Sequence, residues 1–558
     1  MTVSPLNGTP DASPSTQISF LGAAASQISH VSVVGSHSGS HSGSLRSYAS
    51  EPGASFVPAR GFAEGERVTA TAVVRSGKHS SRVGTTFYVA RLVSYPLPPS
   101  RTPPPAKAGA NQTFVTQPKL QPPTVRITAA SPAAAPGDVF LTTNGGRGQN
   151  GTMIVNNAGQ LVWFKPAGKG NSVTNLQVSS YEGKPVLAYW EGHIDLGVGF
   201  GNDFVLGTNY KPVATIHAGN GYYADLHELQ LTPEGSAYLT AYTLVRADLR
   251  SVGGSKDGAL QDAIVQMVDV KTGLVMFEWH AYGHVALTDS YANSPHDPNR
   301  PWDFFHLNSI DPDPWGDGNF LISSRNTWAV YEVNRQNGAV EWRIGGKRPS
   351  FRMGPGTGTA YQHDARWQPD HTITIFDNGA VPDAHPYSRA IHEQIDFKHG
   401  TVSLIGRDVR SPTILSGSQG DDQVLGNGNA FVGWGESPYF TEFDPAGGIV
   451  FDGHLPYPAQ IYRSFRFEWN ATPAIVPSIA LKPTGEATTV YASWNGATGV
   501  RGWRIVAGGS PATLSTIAEV PSAGFETAAT VPSAAPVFAV QALGPAGEVL
   551  GSSHTITR

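Results

Sequence analysis

Short segments in which hydrophobic and polar residues alternate recur along the whole chain. Examples are "ERVTATAVV" and "TTFYVARLV" near the start and "TTVYASWNG" and "VFAVQALGP" near the end. Alternation with a period of two between turn-forming residues is typical of β-strands. The 63 glycines and 43 prolines, with only 15% charged residues, disfavour long helices with exposed ion pairs. The pattern therefore predicts an all-β protein.

One strand–turn–strand pattern repeats in the central region. An apolar run, an Asp or Asn, a turn and a second apolar run appear in "TMIVNNAGQLVWF", "IVQMVDVKTGLVMFEW" and "AVYEVNRQNGAVEWRIGG". Six copies have their turns at Gly159, Tyr210, Gly273, Gly338, Gly400 and Gly448. Each interval is long enough for four strands with their loops, so the repeat predicts a six-bladed β-propeller.

Changes in composition divide the chain into five predicted parts. The first residues are polar and rich in turn formers, and a later proline-rich stretch loses all hydrophobic periodicity. The predicted parts are a disordered N-terminus (1–14), an N-terminal β-sandwich (15–97), a Pro-rich linker (98–135), the propeller (136–470) and a fibronectin type III-like or Ig-like sandwich (471–558).

Composition and charge exclude several classes of function. The chain has no cysteine, so disulfides, thiolate nucleophiles and cysteine-ligated metals are impossible. A net charge of -5 without a long basic run gives no surface for nucleic acid. No apolar stretch is long enough for a membrane span, and the first residues show no signal peptide.

Three histidines occupy matching positions in three of the repeats. His227, His306 and His363 each precede a short alternating segment, a turn and an apolar strand. Equivalent inner positions of propeller blades face the central channel, so we expect the three imidazoles to converge there. They could form a metal site, a polar structural channel or a catalytic site that handles an anion.

The residues around His306 favour an anion. Asn308 follows two residues later, and Arg325 ends the next predicted strand. A guanidinium binds tetrahedral oxyanions with paired hydrogen bonds and would repel a divalent metal. A neutral imidazole can attack sulfur or phosphorus, while the other histidines and Arg325 stabilise the developing charge.

Three stretches carry a resemblance to a known family. "YADLHELQL", "DFFHLNSIDPDPWGDGNFLISSRNTW" and "YQHDARWQPDHTITIFDNG" resemble the bacterial arylsulfotransferase (aryl-sulfate sulfotransferase) family, in a divergent branch. The resemblance implies a six-bladed propeller that moves a sulfuryl group from a phenolic sulfate ester to a phenol. The transfer would follow a ping-pong mechanism through a sulfohistidine, with no cofactor, no metal and no nucleotide sulfate donor.

The resemblance also implies roles for individual residues. His363 would be the nucleophile, His227, His306 and Arg325 would act with it in catalysis, and Asn308 would bind the substrate. The partners would be a small aryl sulfate donor and a phenolic acceptor, and the protein would be extracytoplasmic or secreted. The enteric members have a disulfide, which this chain cannot form.

Two alternatives remain open at this point, and one weaker motif is present. The chain could be a non-catalytic propeller that binds a sulfated or anionic ligand, or a metalloenzyme with three histidine ligands. The stretch "DPDPWGDGN" (311–319) resembles a calcium-binding loop, but two prolines and the lack of a closing Glu favour an ordinary turn.

Overall fold

β-Strands, nearly all antiparallel, contain 50% of the residues of the structure. It is a computed structural model that describes residues 1–99, 102–316 and 318–558. Helical structure within these ranges is confined to the short 3-10 turns Ala25–Gln27, Arg250–Val252 and Leu287–Asp289. None of the described helices has the length and apolar character needed to cross a membrane. The prediction of an all-β protein is confirmed.

The first part of the chain forms two four-stranded sheets. Their strands are β1 (Thr2–Ser4), β2 (Ile18–Leu21), β3 (Ile28–Gly35), β4 (Gly39–Ser40), β5 (Gly43–Ser47), β6 (Gly53–Pro58), β7 (Arg67–Ser76) and β8 (His79–Tyr88). The sheet orders are β1-β2-β6-β5 and β4-β3-β7-β8. Buried side chains such as Phe20, Phe56 and Phe87 fill one core between them.

The prediction of a disordered N-terminus is wrong. Thr2–Ser4 pairs with β2, and Leu6 and Ala12 are buried. The polar residues that suggested disorder are instead satisfied by distant partners, as when the Ser13 hydroxyl donates to the carbonyl of Asn220 at 2.5 Å. Hydrogen bonds to the next part of the protein replace those to water.

The central region forms six four-stranded antiparallel units. Unit 1 contains β10 (Asp138–Thr143), β11 (Gly151–Val155), β12 (Leu161–Pro166) and, from much later in the chain, β35 (Ser464–Phe467). Unit 2 contains β13 (Ser172–Tyr181), β14 (Lys184–Asp195), β15 (Val198–Gly207) and β16 (Pro212–Ile216). Unit 3 contains β17 (Ala224–Leu231), β18 (Ser236–Ala247), β19 (Gly258–Asp269) and β20 (Val275–His280), with β21 (Trp302–Asp303) beside β19. Unit 4 contains β22 (Leu307–Pro312), β23 (Phe320–Ser324), β24 (Ala329–Val333) and β25 (Val340–Gly345). Unit 5 contains β27 (His363–Trp367), β28 (Thr372–Asp377), β29 (Arg389–Asp396) and β30 (Thr401–Asp408), with β26 (Arg352–Met353) beside β30. Unit 6 contains β31 (Asp421–Val424), β32 (Ala430–Gly433), β33 (Tyr439–Phe443) and β34 (Ile449–His454). Units 2 and 3 share one continuous sheet through β15 and β17.

The sequence repeat corresponds to the same place in every unit. All six turn residues named above lie in or beside the turn that leads into the last strand of their unit, which in unit 1 is β12 when the unit is counted from β35, and in the other units is the fourth strand. Tyr210 adopts a positive φ of 60°, as the glycines at 159, 273, 338 and 400 also do. In the sixth copy the residue with positive φ is Gly447 rather than the neighbouring Gly448. These turns need the left-handed conformation that glycine adopts most easily.

The predicted Pro-rich linker is shorter than 98–135. Its last part forms β9 (Arg126–Ala130), which pairs with β34 as the outermost strand of unit 6. The segment "VRITAA" is short and lies between prolines, so its alternation was not recognised as a strand. Its pairing partner lies more than 300 residues later in the chain. A strand added to an exposed sheet edge covers the unpaired backbone groups there.

The last part of the chain forms two further sheets. Their strands are β36 (Ser478–Thr484), β37 (Ala487–Ser493) and β40 (Glu526–Val531) in one sheet, and β38 (Gly502–Gly508), β39 (Ser515–Pro521), β41 (Val537–Leu543), β42 (Val549–Ser552) and β43 (Ile556–Thr557) in the other. Trp494, Trp503 and Phe538 share the core between them.

A buried arginine connects the inner strands of several units. The Arg463 side chain is 1% exposed, and its Nη1 donates to Asn175 Oδ1 at 3.0 Å and to Glu228 Oε2 at 3.2 Å. Its Nη2 donates to the carbonyl of Asn308 at 2.9 Å, and its Nε lies 3.3 Å from Asp364 Oδ1. These partners come from units 2, 3, 4 and 5, while Arg463 directly precedes the closing strand β35.

We expect Arg463→Met to destabilise the central region by about 3–5 kcal/mol, because it leaves buried carboxylates with fewer partners. The measurement is urea unfolding followed by tryptophan fluorescence. Arg504→Met, which breaks the more exposed pair with Glu519, is the control and should lower the stability by less than about 1 kcal/mol. Equal unfolding curves for the two variants would contradict a central role for Arg463.

Candidate functional site

The three histidines and Arg325 line one cavity of about 370 Å³. His227 lies within β17, His306 directly precedes β22, and His363 is the first residue of β27. These are the first strands of units 3, 4 and 5, so the repeat brings equivalent positions together. The ring centres of His227 and His306 are 4.9 Å apart and the planes are nearly perpendicular at 84°.

His227 and His306 each face a carboxylate with their Nδ1 atoms. The Nδ1 of His227 is 2.6 Å from Asp225 Oδ2, and the Nδ1 of His306 is 2.5 Å from Asp303 Oδ2. A carboxylate accepts but does not donate, so Nδ1 carries a proton in both rings and Nε2 is left for the cavity. The two residues are therefore aspartate–histidine pairs.

His306 has a backbone conformation that side chains seldom adopt. Its φ is 54°, in the left-handed region, and its carbonyl accepts a hydrogen bond from the Arg325 amide at 2.9 Å. Gly197, at the tip of the β14–β15 hairpin, lies against the His306 ring: a Cβ added there would come within 3.3 Å of His306 Cε1. A strained backbone held by its surroundings is common at functional sites.

His363 differs from the other two histidines because it faces an amide. Its Nδ1 is 2.7 Å from Asn378 Oδ1. The Asn378 amide nitrogen donates to the carbonyls of Ser416 and Gln419, at 3.0 and 2.9 Å, which leaves the amide oxygen facing the ring. An amide oxygen only accepts, so Nδ1 of His363 carries the proton.

The other nitrogen of His363 carries the lone pair. Its Nε2 accepts a hydrogen bond from the backbone N–H of Gln419 at 3.2 Å. Burial, followed by the positive charge of Arg325, lowers the pKa of His363 well below 6.5. The imidazole is therefore neutral near pH 7, with its nucleophilic nitrogen at the cavity.

Arg325 supplies positive charge without a direct ion pair among the described residues, although the carboxylates of Asp303 and Glu436 act on it from farther away. Its Nη1 donates to Asn326 Oδ1 at 3.0 Å and its Nη2 to the carbonyl of Gly417 at 3.2 Å. The guanidinium also lies over the ring of Tyr361, 4.7 Å from its centre. Among the described residues no Asp or Glu forms an ion pair with it, so the cavity can accept an anion.

Part of the cavity wall is apolar. Leu196, Leu226 and Tyr462 line it together with the polar residues, and Leu196 forms the tip of the β14–β15 hairpin. The phenol of Tyr95 donates to Asp195 Oδ2 at 2.7 Å and so holds this hairpin. Binding sites for small molecules commonly combine such apolar surface with a few placed polar groups.

The structure corrects the role of Asn308. This residue does not line the cavity, because its amide nitrogen donates to the carbonyl of Gln362 at 2.7 Å and its own carbonyl accepts from Arg463. Asn308 therefore joins units 4 and 5 rather than contacting a ligand. Asp317 of the candidate calcium loop lies outside the described residues.

Sequence reasoning missed four polar residues of the site. Asp225 and Asp303 precede their histidines by two and three residues, so "DLH" and "DFFH" were local signals that could have been used. Asn378 and Gln419 come from loops 15 and 56 residues after His363. Nothing in the local pattern distinguishes these two from ordinary loop residues.

The comparison with protein families agrees with this site. The model of the family described as "Arylsulfotransferase (ASST)" matches residues 177–455, which is half of the chain and includes all three histidines and Arg325. The chain belongs to the arylsulfotransferase family. Small-molecule substrates and a sulfotransferase-like activity follow from this membership.

Known structures resemble this arylsulfotransferase family member only distantly. A protein of unknown function from Bacteroides caccae is 15% identical, with 59% of this chain and 98% of that chain covered and a TM-score of 0.35. Saccharomyces cerevisiae Sqt1 is 10% identical, with 82% and 94% covered and a TM-score of 0.30. A quinonprotein alcohol dehydrogenase-like protein from Bacteroides thetaiotaomicron is 9% identical, with 99% and 96% covered and a TM-score of 0.24. No curated protein matches the chain.

We expect nitrogen-15 NMR of labelled histidine to show His363 as the neutral Nδ1–H tautomer at pH 7. Arg325→Gln should raise the pKa of His363, because it removes a positive charge that disfavours the imidazolium. The assignment of the signal comes from its loss in His363→Gln. A protonated His363 at pH 7, or a pKa that falls in Arg325→Gln, would contradict the electrostatic description.

Proposed function

We propose that the protein transfers a sulfuryl group from an aryl sulfate ester to a phenol by a ping-pong mechanism, through a sulfohistidine at His363. The observation that carries this proposal is the neutral His363, with its Nε2 at a cavity that also holds the guanidinium of Arg325, which forms no direct ion pair among the described residues. A nucleophile beside a fixed cation suits an anionic sulfate ester. No nucleotide donor is required, because the ester itself carries the group.

The first half-reaction uses the lone pair of His363. The hydrogen bond from the Gln419 N–H to Nε2 breaks and frees the lone pair, which attacks sulfur. An N–S bond forms, the S–O bond to the aryl group breaks, and the phenolate leaves with the bonding electrons. The sulfo-imidazolium keeps its Nδ1 proton, and this N–H donates a hydrogen bond to Asn378 Oδ1. Arg325 can donate to the sulfuryl oxygens and stabilise their charge, and His227 can do so in the form that carries a proton on Nε2 as well as on Nδ1.

The second half-reaction requires a base for the acceptor phenol. We assign this role to His306, whose Nδ1–H is held by Asp303 and whose Nε2 is left for the cavity. Burial lowers the pKa of His306, although Asp303 opposes the effect, so the ring can accept a proton near pH 7. The phenol oxygen then attacks sulfur, the N–S bond breaks, and the proton passes from His306 to water or to the departed phenolate.

The substrate class follows from the wall beside the polar groups. Leu196, Leu226 and Tyr462 offer an apolar surface to an aromatic ring whose sulfate lies against Arg325 and the histidines. The rival function is binding of a sulfated ligand without chemistry. That rival predicts affinity for aryl sulfates with neither released phenol nor transfer to an acceptor.

His363→Ala should lower the transfer from 4-nitrophenyl sulfate to phenol by at least about 10⁴-fold, since it removes the nucleophile. Arg325→Gln should lower it by about 10²- to 10³-fold. Release of 4-nitrophenol is followed by its absorbance at about 400 nm while the concentrations of donor and acceptor are varied. Parallel lines in the double-reciprocal plots are expected for a ping-pong mechanism. His399→Ala, at an exposed turn, is the control and should retain full activity. Unchanged turnover in His363→Ala would overturn the mechanism.

The rate of the first half-reaction should fall only when the pH drops well below 6.5, because the reactive form is the neutral imidazole with its lowered pKa. Asn378→Asp places a carboxylate where an amide faces Nδ1, which favours the imidazolium. The acidic limb should then move to higher pH by about one to three pH units, measured by pre-steady-state phenol release. An unmoved limb would show that another group controls it.

A further inference from the structure

Three carboxylates surround one imidazole at a buried place outside the histidine cavity. Asp11 comes from the segment between β1 and β2, Asp262 from β19, and Glu278 and His280 from β20. Each of the four side chains is at most 3% exposed. The cluster therefore lies where the N-terminal part of the chain meets unit 3.

The distances within the cluster match those between ligands of one metal ion. His280 Nδ1 is 2.8 Å from Asp262 Oδ2 and 3.2 Å from Asp11 Oδ1, and one ligand atom from each residue lies within 4.8 Å of the others. Ligands bound tetrahedrally to one zinc ion at about 2.0–2.2 Å are separated from each other by about 3.3–3.6 Å, slightly more than the distances seen here. Little movement would be needed to admit an ion.

The second observation is that Asp11 has only the His280 imidazole as a charged partner among the described residues, at 3.2 Å from Nδ1 to Oδ1, and shares it with Asp262. Both of its oxygens are buried without a hydrogen bond, because the single Nδ1 proton of His280 is directed at Asp262. In the described part of the chain no Lys or Arg forms an ion pair with Asp11, Asp262 or Glu278.

We propose that Asp11, Asp262 and Nδ1 of His280 bind a divalent first-row transition cation such as Zn²⁺. One imidazole nitrogen with carboxylate oxygens suits such an ion better than Ca²⁺, which prefers oxygen alone. On binding, the Nδ1 proton leaves to solvent and the ion takes its place. The Nε2–H of His280 then donates to Glu278 Oε1, now 3.0 Å away, which is the usual outer support of a metal-bound histidine.

Glu278 is itself held in place for this role. Its other oxygen accepts hydrogen bonds from the amides of Asn220 and Gln266, at 2.8 and 2.7 Å. Asn220 also accepts from Ser13, two residues after Asp11. The ion would thus be structural and would fasten the N-terminal segment to β19 and β20, independently of sulfuryl transfer.

The test is metal analysis of the full chain after refolding with Zn²⁺ and gel filtration, together with thermal unfolding with and without a chelator. Wild type should retain about one zinc per chain, and the chelator should lower its unfolding midpoint. Asp11→Asn should bind zinc at least about tenfold more weakly and show no effect of the chelator. This variant keeps the shape of the side chain and loses only the ion pair with His280, so it should fold.

Two controls separate this site from other sources of zinc. Asp248→Asn, at an exposed pair with Arg250, should retain zinc as wild type does. His363→Ala should also retain it, since the proposed site does not include the histidine cavity. Equal zinc in wild type and Asp11→Asn, no zinc in either, or loss of zinc in His363→Ala would each overturn the proposal.

Discussion

The geometry of the cavity depends on the buried guanidinium of Arg463. Units 2 to 5 each place a polar group from their first strand against it, and Arg366 adds a second cation between Glu228 and Asp364. Because Glu228 adjoins His227 and Asp364 adjoins His363, the network fixes the backbone of two of the three histidines. A network of this kind is stabilising only when every member has a partner, so the inner strands must keep their mutual register.

The three histidines of the cavity have the same side chain but differ in their hydrogen-bond partners and therefore in their properties. Two histidines face carboxylates, whereas His363 faces the amide of Asn378 and the charge of Arg325. A carboxylate partner favours the imidazolium, and an amide partner does not. The difference in partner, rather than the histidines themselves, separates the proposed nucleophile from the groups that handle charge and protons. The same reasoning explains why the cavity favours an anion over a metal: the Asp303 carboxylate in its wall pairs with His306, and Arg325 has no direct ion pair among the described residues.

The sequence predicted the parts of this arrangement that repeat. The turns at Gly159, Gly273, Gly338 and Gly400 mark equivalent places because each needs a positive φ, and the histidines follow from the same period. Features that depend on distant contacts were not predictable. The N-terminal strand, the pairing of β9 with β34 and the partnership of His363 with Asn378 all join residues whose local patterns carry no sign of their partners. Asn308 was misassigned for the same reason, since only its contact with Gln362 shows that it faces another strand.

Passage of the sulfuryl group through His363 would leave a covalent intermediate, which intact-protein mass spectrometry detects. After the protein is mixed with 4-nitrophenyl sulfate, its mass should increase by about 80 mass units, the mass of one covalently bound sulfuryl group. Peptide fragmentation should place this gain on His363, and addition of phenol should remove it. The opposite result is that the protein releases 4-nitrophenol and transfers the sulfuryl group, but neither it nor His363→Ala gains mass under rapid quenching. That result would contradict a covalent intermediate on His363.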